Sequence, residues 1–255
     1  MSTILYEDAN HKCIKFDGLA GDGEISSNQF LIIHNRKGLL LDCGGYRVYK
    51  YLLGAMSKYL PAGAIEYIFL SHQDPDIGSG LNLWLPICNA KVMISQLWQK
   101  FIPAFCARGL AEDRLWPLPD QGIRFELNGS PLMAVAAHFL HSPGCFHLYD
   151  PVSKILFTSD LGASITPHKT AIDTKEDLTL HKTNMKSFHN RYMGSNTAAK
   201  YWVSMVRQLD VEMIVPQHGA HIVGKPLVAE FYKWVEDEKT AVDDFAESLY
   251  QLPAD

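Results

Sequence analysis

The chain has 255 residues, 47% of them hydrophobic and 20% charged, with a net charge of −5. This composition supports a full core, so we expect one globular domain over residues 1–255. The acidic balance, without a basic block, argues against nucleic acid and anionic membranes as partners. No apolar run approaches the ~20 residues of a spanning helix, and no signal peptide is recognisable at the start, so we expect a cytoplasmic protein.

The cysteines are few and scattered, and no two of them form a Cys-x-x-Cys pair. An odd number of cysteines without such spacing argues against a disulfide framework and against a zinc knot. We therefore interpret them as reduced core residues: Cys13, Cys43, Cys88, Cys106 and Cys145.

The N-terminal part of the chain predicts strands followed by a helix. Residues 4–17 favour an opening pair of strands, and residues 28–42 favour a hairpin with its turn at 35–38. Asp42 ends the second strand of that hairpin and is a candidate to brace the polar loop further along the chain. Residues 48–59 place apolar side chains at helical spacing and predict the first helix.

An apolar strand at residues 67–70 stops abruptly at a polar segment. In an extended chain, residues i, i+2 and i+4 point the same way, so His72, Asp74 and Asp76 can converge on one spot. An imidazole with two carboxylates is a metal-type ligand group. The alternative is that one of the aspartates caps a helix near Gly78 and that His72 lies on the surface.

The segment after this loop predicts alternating helices and strands. Residues 95–108 favour a helix with Ser95 as its N-cap. Its expected core face consists of Leu97, Phe101, Phe105 and Leu110. Residues 116–120, which contain a proline, predict a turn. The other expected elements are a helix at 81–86 and strands at 91–94, 122–126 and 132–138.

Three further apolar strands lead to metal-type ligands. The strand at residues 132–138 leads to His141, the strand at 155–158 leads to Asp160, and the strand at 211–215 leads to His218. Together with the first polar loop, four strands end this way, which points to a shared site rather than to coincidence. We interpret His138 and His221, each three residues from a candidate ligand, as structural.

The C-terminal part is the hardest to interpret. Residues 162–190 are rich in charged and polar side chains, and we interpret them as a long excursion over the surface, of the kind that often forms a lid. Residues 196–209 predict a helix. Residues 226–249 repeat apolar side chains, Phe245 and Leu249 among them, with an acidic outer face, and predict a helix that packs on the domain or on another subunit.

Taken together, these motifs resemble the metallo-beta-lactamase superfamily, whose metal loops occur in this order along the chain. Hydrolases of that superfamily carry His-x-His-x-Asp-His in the first loop, where this sequence reads His72-x-Asp74-x-Asp76-Ile77. An acid in place of the second histidine is typical of the flavodiiron branch, where it is usually glutamate. The sequence is similar in particular to the stand-alone oxygen-binding di-iron proteins related to that branch, over residues 25–235. Further matching segments are 27–32, 41–45 and 188–193.

The resemblance implies an α/β fold, the αββα sandwich in which two mixed sheets are flanked by helices. It also implies a di-iron site in which His72, Asp74 and His141 hold metal 1, Asp76 and His218 hold metal 2, and Asp160 bridges the two ions. Tyr192 takes the place of a family tyrosine that sits beside the metals.

The chemistry of the implied ligands favours iron. Three imidazoles and three carboxylates suit iron or manganese better than zinc, whose usual ligands are nitrogen and sulfur, although affinity alone also admits zinc. We therefore expect two iron ions. Ile77 removes a possible histidine from metal 2, and the position that it leaves open can bind dioxygen, nitric oxide or water.

Three functions are compatible with this site. The first is a di-iron protein that binds dioxygen or nitric oxide as a sensor or signalling component. The second is a reductase of either gas, and the third is a metallohydrolase of phosphoesters or esters that uses metal-bound hydroxide. A reductase needs electrons, and because no flavodoxin-like domain follows Leu249, we expect no flavin and an electron-donor protein in trans. Other expected partners are a signalling protein and a second subunit in a homodimer.

Overall fold

The fold is a sandwich of two seven-stranded sheets with helices on both outer faces. A computed structural model describes residues 2–21, 25–165, 169–244 and 250–253. The first sheet contains its strands in chain order: β1 (Ser2–Glu7), β2 (His11–Phe16), β3 (Gln29–His34), β4 (Lys37–Leu41), β5 (Ile65–Phe69), β6 (Lys91–Ser95) and β7 (Leu115–Leu118). Neighbours from β1 to β4 are antiparallel and those from β4 to β7 are parallel.

The second sheet is built from the C-terminal half of the chain. Its strands are β8 (Ile123–Leu127), β9 (Ser130–Ala136), β10 (Phe146–Asp150), β11 (Ile155–Phe157), β12 (Ala171–Ile172), β13 (Met213–Val215) and β14 (His221–Val223). They lie in the order β12-β14-β13-β11-β10-β9-β8. The pairs β11–β13 and β12–β14 are parallel and the others are antiparallel, so both sheets are mixed, as the sequence predicts.

The helices divide between the two outer faces. They are α1 (Tyr49–Met56), α2 (Pro75–Gly78), α3 (Leu81–Trp84), α4 (Lys175–Tyr192), α5 (Asn196–Val206), α6 (Lys225–Asp237) and α7 (Ala241–Asp244). Buried apolar residues of α1 to α3 pack on the first sheet, and those of α4 to α6 pack on the second. A third apolar cluster lies between the sheets. The predicted αββα sandwich is confirmed.

Alternation along a strand explains why both faces of a sheet are apolar. In β4, Leu39 and Leu41 join the cluster between the sheets, whereas Leu40 joins the cluster under α1 to α3. Strands buried on both faces need such continuous apolar runs. Among the described residues, no helix is long and apolar enough to cross a membrane.

The predicted helix at residues 95–108 is wrong. Ser95 is the last residue of β6, turns follow it, and only a short 3-10 helix forms at Ile102–Phe105. Pro103 lacks the amide proton that an α-helix interior needs, which limits helix formation here. The expected core face is wrong for Leu97 and Phe101, which are exposed, whereas Phe105 and Leu110 pack on the apolar cluster under the helices.

The predicted turn at residues 116–120 is in fact strand β7 as far as Leu118. Pro117 lies within this strand, which is at the edge of the first sheet and pairs with β6. A proline is tolerated at such an edge, since its missing amide proton removes no bond to a neighbouring strand.

Much of the expected surface excursion at residues 162–190 is helix α4. Thr174 caps its start by accepting a hydrogen bond from the amide of Asp177. The buried residues of α4 recur at helical spacing: Leu178, His181, Met185 and His189. Two of the four are histidines, which made the buried face look polar in the sequence. The predicted tail helix ends at Asp237 and is followed by α7, and Phe245 and Leu249 lie outside the described residues.

Candidate metal centre

Strand β5 delivers the first group of candidate ligands. His72 is buried, which excludes the alternative that it lies on the surface. Asp74 occupies the N-cap position of α2, but its carboxylate makes no capping hydrogen bond and faces His141 instead. Asp76 lies in the first turn of α2. The expectation of one extended loop is therefore wrong beyond Asp74, and a helical turn brings Asp76 to the site.

Three polar groups fix the ring of His72. Its Nδ1 lies 3.0 Å from Ser159 Oγ, which donates to Ser71 Oγ at 2.9 Å. Ser71 Oγ in turn donates to Asp42 Oδ2 at 3.1 Å. Because this chain of hydrogen bonds ends on a carboxylate, we assign one proton of His72 to Nδ1, which leaves Nε2 as the atom that a metal ion would bind. The predicted bracing role of Asp42 agrees with these contacts.

The remaining candidates converge on Asp160, which follows β11. Its Oδ2 lies 3.9 Å from His72 Nε2 and 3.5 Å from His141 Nε2. Its Oδ1 lies 3.5 Å from His218 Nε2. One oxygen of Asp160 therefore faces His72 and His141 and the other faces His218, as a bridging carboxylate requires.

The two groups are compact. On the first side, His141 Nε2 lies 3.1 Å and His72 Nε2 lies 3.6 Å from Asp74 Oδ2. On the second side, His218 Nε2 lies 3.5 Å from Asp76 Oδ2. Ligand atoms about 2.1 Å from a shared ion lie roughly 3 Å from one another when they are adjacent. We call these six side chains the six-residue cluster: His72, Asp74, Asp76, His141, Asp160 and His218.

Two details indicate that the six-residue cluster fits metal ions. Asp160 Oδ1 is buried, yet it has no hydrogen-bond partner within the described parts of the chain. His218 Nδ1 lies 3.0 Å from the carbonyl oxygen of Ser26, to which it can donate, so its Nε2 is free to bind a cation. An acceptor without a donor and imidazoles whose lone pairs face inward are both satisfied by a cation.

The electrostatics of the cluster also favour a cation. Burial lowers the pKa of His72, but the hydrogen bond to Asp74 and the charges of Asp160 and Asp74 outweigh burial and raise that pKa to about 9. Hydrogen bonds from His141 and His72 hold the pKa of Asp74 well below its usual range. Burial raises the pKa of Asp76. A proton on His72 thus balances carboxylate charge where a metal ion does not.

Tyr192, the last residue of α4, lies beside the cluster. Its ring centroid is 6.1 Å from that of His141, and its ring stacks on Phe188 at 4.4 Å. The Phe188 ring is in turn 6.3 Å from His218. Tyr192 remains 52% exposed, and the Asp76 side chain is 45% exposed, so the cluster is open to small molecules here.

Ile77 is fully buried and belongs to the apolar cluster that includes Leu70 and Cys43. It follows Asp76 directly in α2, but its side chain contributes to the packing under the helices. The sequence position thus supplies an apolar group where the fuller family motif has a histidine.

Several residues around the cluster were missed from the sequence. Ser71, Ser159 and Phe188 are described above, and Gln217 Nε2 donates to Asp76 Oδ2 at 3.4 Å. One signal was available: a serine directly precedes a candidate ligand at the end of both β5 and β11. Phe188 begins the matching segment 188–193, but its place beside the histidines depends on the position of α4. Gln217 had no comparable signal, since its contact depends on the loop after β13.

The fold and this arrangement define a metallo-beta-lactamase-type protein with a candidate dinuclear centre. Residues 25–219 match the family described as ODP family beta lactamase, and the chain belongs to this family. A solved structure described as "Peroxy diiron species of chemotaxis sensor ODP" is 38% identical, with a TM-score of 0.86, and the match covers 98% of this chain and 99% of that one.

More distant similarities extend the comparison. A flavo di-iron protein variant from Thermotoga maritima is 17% identical with a TM-score of 0.78 over 92% of this chain and 60% of that one, which shows a shared fold. The uncharacterised protein MJ0732 of Methanocaldococcus jannaschii is 21% identical over 188 residues, 74% of this chain. The chain spans about half the length of the curated relatives that it matches, 47% of one and 59% of another.

Proposed function

We propose that the six-residue cluster holds two iron ions and that the loaded protein binds dioxygen as a sensor. The observation that carries this proposal is the placement of Asp160. Its Oδ2 faces His72 and His141 and its Oδ1 faces His218, at distances of 3.5 to 3.9 Å. The 38% identical relative is described as a di-iron chemotaxis sensor, which supports the same function for this chain.

Each side chain has a part in this proposal. One ion is held by His72, Asp74 and His141, the second is held by Asp76 and His218, and Asp160 is shared. Two ferrous ions held there would supply the electrons and the open coordination position that dioxygen binding needs. The ligands are nitrogen and oxygen atoms, which suits iron, with manganese or zinc as possible substitutes.

The surroundings of the cluster restrict what reaches it. Ile77 offers no ligand atom, so the second ion has fewer protein ligands than the first. Tyr192 and Phe188 cover the histidines with aromatic rings, and this admits a small apolar gas such as dioxygen or nitric oxide more readily than a charged ester. Asp74, in place of a histidine, also weighs against a hydrolase.

We propose further that the chain is a single domain without flavin that works in the cytoplasm and passes its signal to a protein partner. A sensor needs such a partner because binding has to be read by another molecule.

The test begins with anaerobic loading of the protein with ferrous iron. We expect about two iron ions per chain, since the cluster has two groups of ligands around one shared carboxylate. Admission of oxygen should then give a new visible absorption. Asp160→Asn should show neither the iron content nor the new absorption. Asp113→Asn, which alters an exposed aspartate, should show both. Protein that keeps only zinc, or no metal, would contradict the proposal.

Two further measurements separate the alternatives. Fast oxygen consumption with NADH as the only reductant would favour a reductase. Cleavage of an aryl phosphate or ester by the iron-loaded protein, lost in Asp160→Asn, would favour a hydrolase. We expect neither activity above the level of Asp160→Asn.

A further inference from the structure

A second group of metal-type side chains lies at the opposite end of the sandwich. His11 and Cys13 are on β2, two residues apart and therefore on one face of the strand, and Asp150 ends β10. All three are buried. Phe146, at the other end of β10, donates its amide proton to the Ser71 carbonyl beside the six-residue cluster. About 13 Å of strand thus separates the two groups.

The three side chains offer three kinds of ligand atom within a small space. Asp150 Oδ2 lies 2.7 Å from His11 Nε2 and 3.2 Å from Cys13 Sγ, and those two atoms are 3.6 Å apart. Nitrogen, sulfur and carboxylate oxygen are the ligands that zinc takes in proteins. Ser153 Oγ also donates to the same Asp150 oxygen, so three polar hydrogens point at one atom.

A neighbouring histidine orients the His11 ring. His11 Nδ1 lies 3.2 Å from His34 Nδ1, so one of these two atoms carries the proton that the other accepts. When His11 is the donor, loss of the proton between its Nε2 and Asp150 leaves a lone pair on Nε2 that faces Cys13 and Asp150. This arrangement, in which an outer group fixes the protonation of a ligating histidine, is usual at metal sites.

The group is next to solvent although it is buried. A surface cleft of about 620 Å³ includes His11 in its lining, together with Asn10, Lys12, Asn35 and Tyr59. Of the three side chains only His11 lines the cleft, so an ion that enters from the cleft would pass the His11 ring. Burial raises the pKa of the Cys13 thiol, so the thiol keeps its proton until a cation displaces it.

We propose that His11, Cys13 and Asp150 bind one divalent cation of the zinc class, at a site separate from the six-residue cluster. Binding removes the thiol proton of Cys13 and the proton between His11 and Asp150, and both protons pass to solvent as the metal–ligand bonds form. One divalent charge replaces two protons, so the buried net charge is unchanged. Because β2 and β10 belong to different sheets, the ion ties the two sheets together.

Cobalt(II) distinguishes this site from the six-residue cluster. Metal-free full-length protein is titrated with cobalt, and a bound thiolate gives a charge-transfer band in the near ultraviolet. The six-residue cluster contains only nitrogen and oxygen ligands and cannot give that band. We expect the band to saturate with about one cobalt at the thiolate site per chain. Zinc should then displace the cobalt and abolish the band.

Variants assign the band to its residues. Cys13→Ser should abolish it, whereas Cys145→Ser, a buried cysteine outside the three side chains, should retain it. His34→Gln should weaken cobalt binding about 10- to 100-fold with the band still present, which is the usual effect of losing an orienting partner. Asp150→Asn keeps the thiol and its shape and should weaken binding at least as much. It decides the question if Cys13→Ser does not fold.

The proposal is overturned if saturating cobalt gives no thiolate band in natively folded protein, or if Cys13→Ser retains the band. It is also overturned if Asp150→Asn binds cobalt as tightly as the unaltered chain. Any of these results would make the three side chains a hydrogen-bonded link between the sheets. None of them bears on iron at the six-residue cluster, so failure here is distinguishable from failure of the proposed function.

Discussion

Two sets of histidines have different neighbours, and His72 and His147 show how neighbours change the charge of a buried histidine. His72 lies among carboxylates, which raise its pKa to about 9 in spite of burial. His147, on β10 in the middle of the second sheet, packs against Trp202 at 5.2 Å, and burial lowers its pKa to about 3. Burial also lowers the pKa of His189, beside Trp234, to about 4. Burial favours the neutral form of a histidine. Close carboxylates favour its cationic form, or its binding to a metal cation.

This difference separates function from packing. Neither ring nitrogen of His147 has a hydrogen-bond partner in the part of the chain that the structure describes. Such a histidine contributes volume to the core and weakens the fold when it is protonated. His72, His141 and His218 have their Nε2 atoms within 4 Å of carboxylate oxygens, with distances from 3.1 to 3.9 Å. Metal binding should depend on His72, His141 and His218 and should not depend on His147 or His189.

The largest expected effect is the difference in iron content between a variant at His72 and a variant at His147. His72→Ala takes a ligand from the first ion, and we expect iron content to fall from about two ions per chain to about one or fewer. His147→Leu should retain about two, because it changes only packing against Trp202. Iron is measured after anaerobic loading and gel filtration. Equal iron loss in both variants would mean that the two sets do not differ in function.

Removing the metal should lower the melting temperature. A ligand present at a thousand times its dissociation constant stabilises the folded state by about 4 kcal/mol. For a chain of this size that corresponds to a shift of roughly 8 to 16 °C.

Calorimetry of the iron-loaded and chelator-treated protein measures this shift. His72→Ala should show a smaller difference between its two forms, whereas His147→Leu should show the full one. Identical melting temperatures of loaded and metal-free protein at neutral pH would contradict a buried metal site.

The sequence predicted which polar side chains come together better than it predicted their surroundings. A strand that ends in a histidine or an aspartate is visible as an apolar run with an abrupt end, so Asp160 and His218 could be found from pattern alone. The αββα fold was implied by the resemblance to the metallo-beta-lactamase superfamily. Asp76 lies in the six-residue cluster although its expected conformation was wrong, since an extended loop and a first helical turn bring it to the same place.

What could not be predicted depends on contacts between distant segments. His181 and His189 occur at helical spacing, but a histidine counts as polar in a pattern, so α4 was taken for a surface excursion. Pro117 suggested a turn because the sequence does not show which strand is at an edge. The neutral state of His147 depends on Trp202, which lies 55 residues further along the chain. These facts concern tertiary neighbours, and local periodicity contains no information about them.

A smaller effect concerns acid stability. His147 is neutral in the folded state with a pKa of about 3, whereas an exposed histidine has a pKa near 6.5. Protonation therefore favours the unfolded chain, and stability present above pH 6.5 is lost as the pH falls towards 3. At pH 5 the loss from this residue is about 2 kcal/mol. Metal-free protein is used, so that loss of iron does not contribute.

Urea unfolding at pH 7 and pH 5 measures this contribution. His147→Leu has a similar volume and cannot be protonated, so its stability should fall less between the two pH values than that of the unaltered chain, by the same ~2 kcal/mol. An identical pH dependence in both proteins would show that His147 finds a proton acceptor in the folded state and does not belong to the neutral set.

The smallest expected effect tests the boundary between the two sets at Ile77. Ile77→His places an imidazole directly after Asp76, but the position belongs to the apolar cluster around Leu70. If the new ring turns to the second ion, it gains carboxylate neighbours like those of His72. Iron retention against a chelator should then rise, by about tenfold or less, and oxygen affinity should fall because the ring competes for the open position. If it stays in the apolar cluster, it should resemble His147 and weaken the fold without affecting iron.

Ile77→Ala is the control, since it opens space without supplying a ligand and loses packing in either case. We expect the first result, and equal chelator resistance and oxygen affinity in the histidine and alanine variants would show that residue 77 does not reach the second ion.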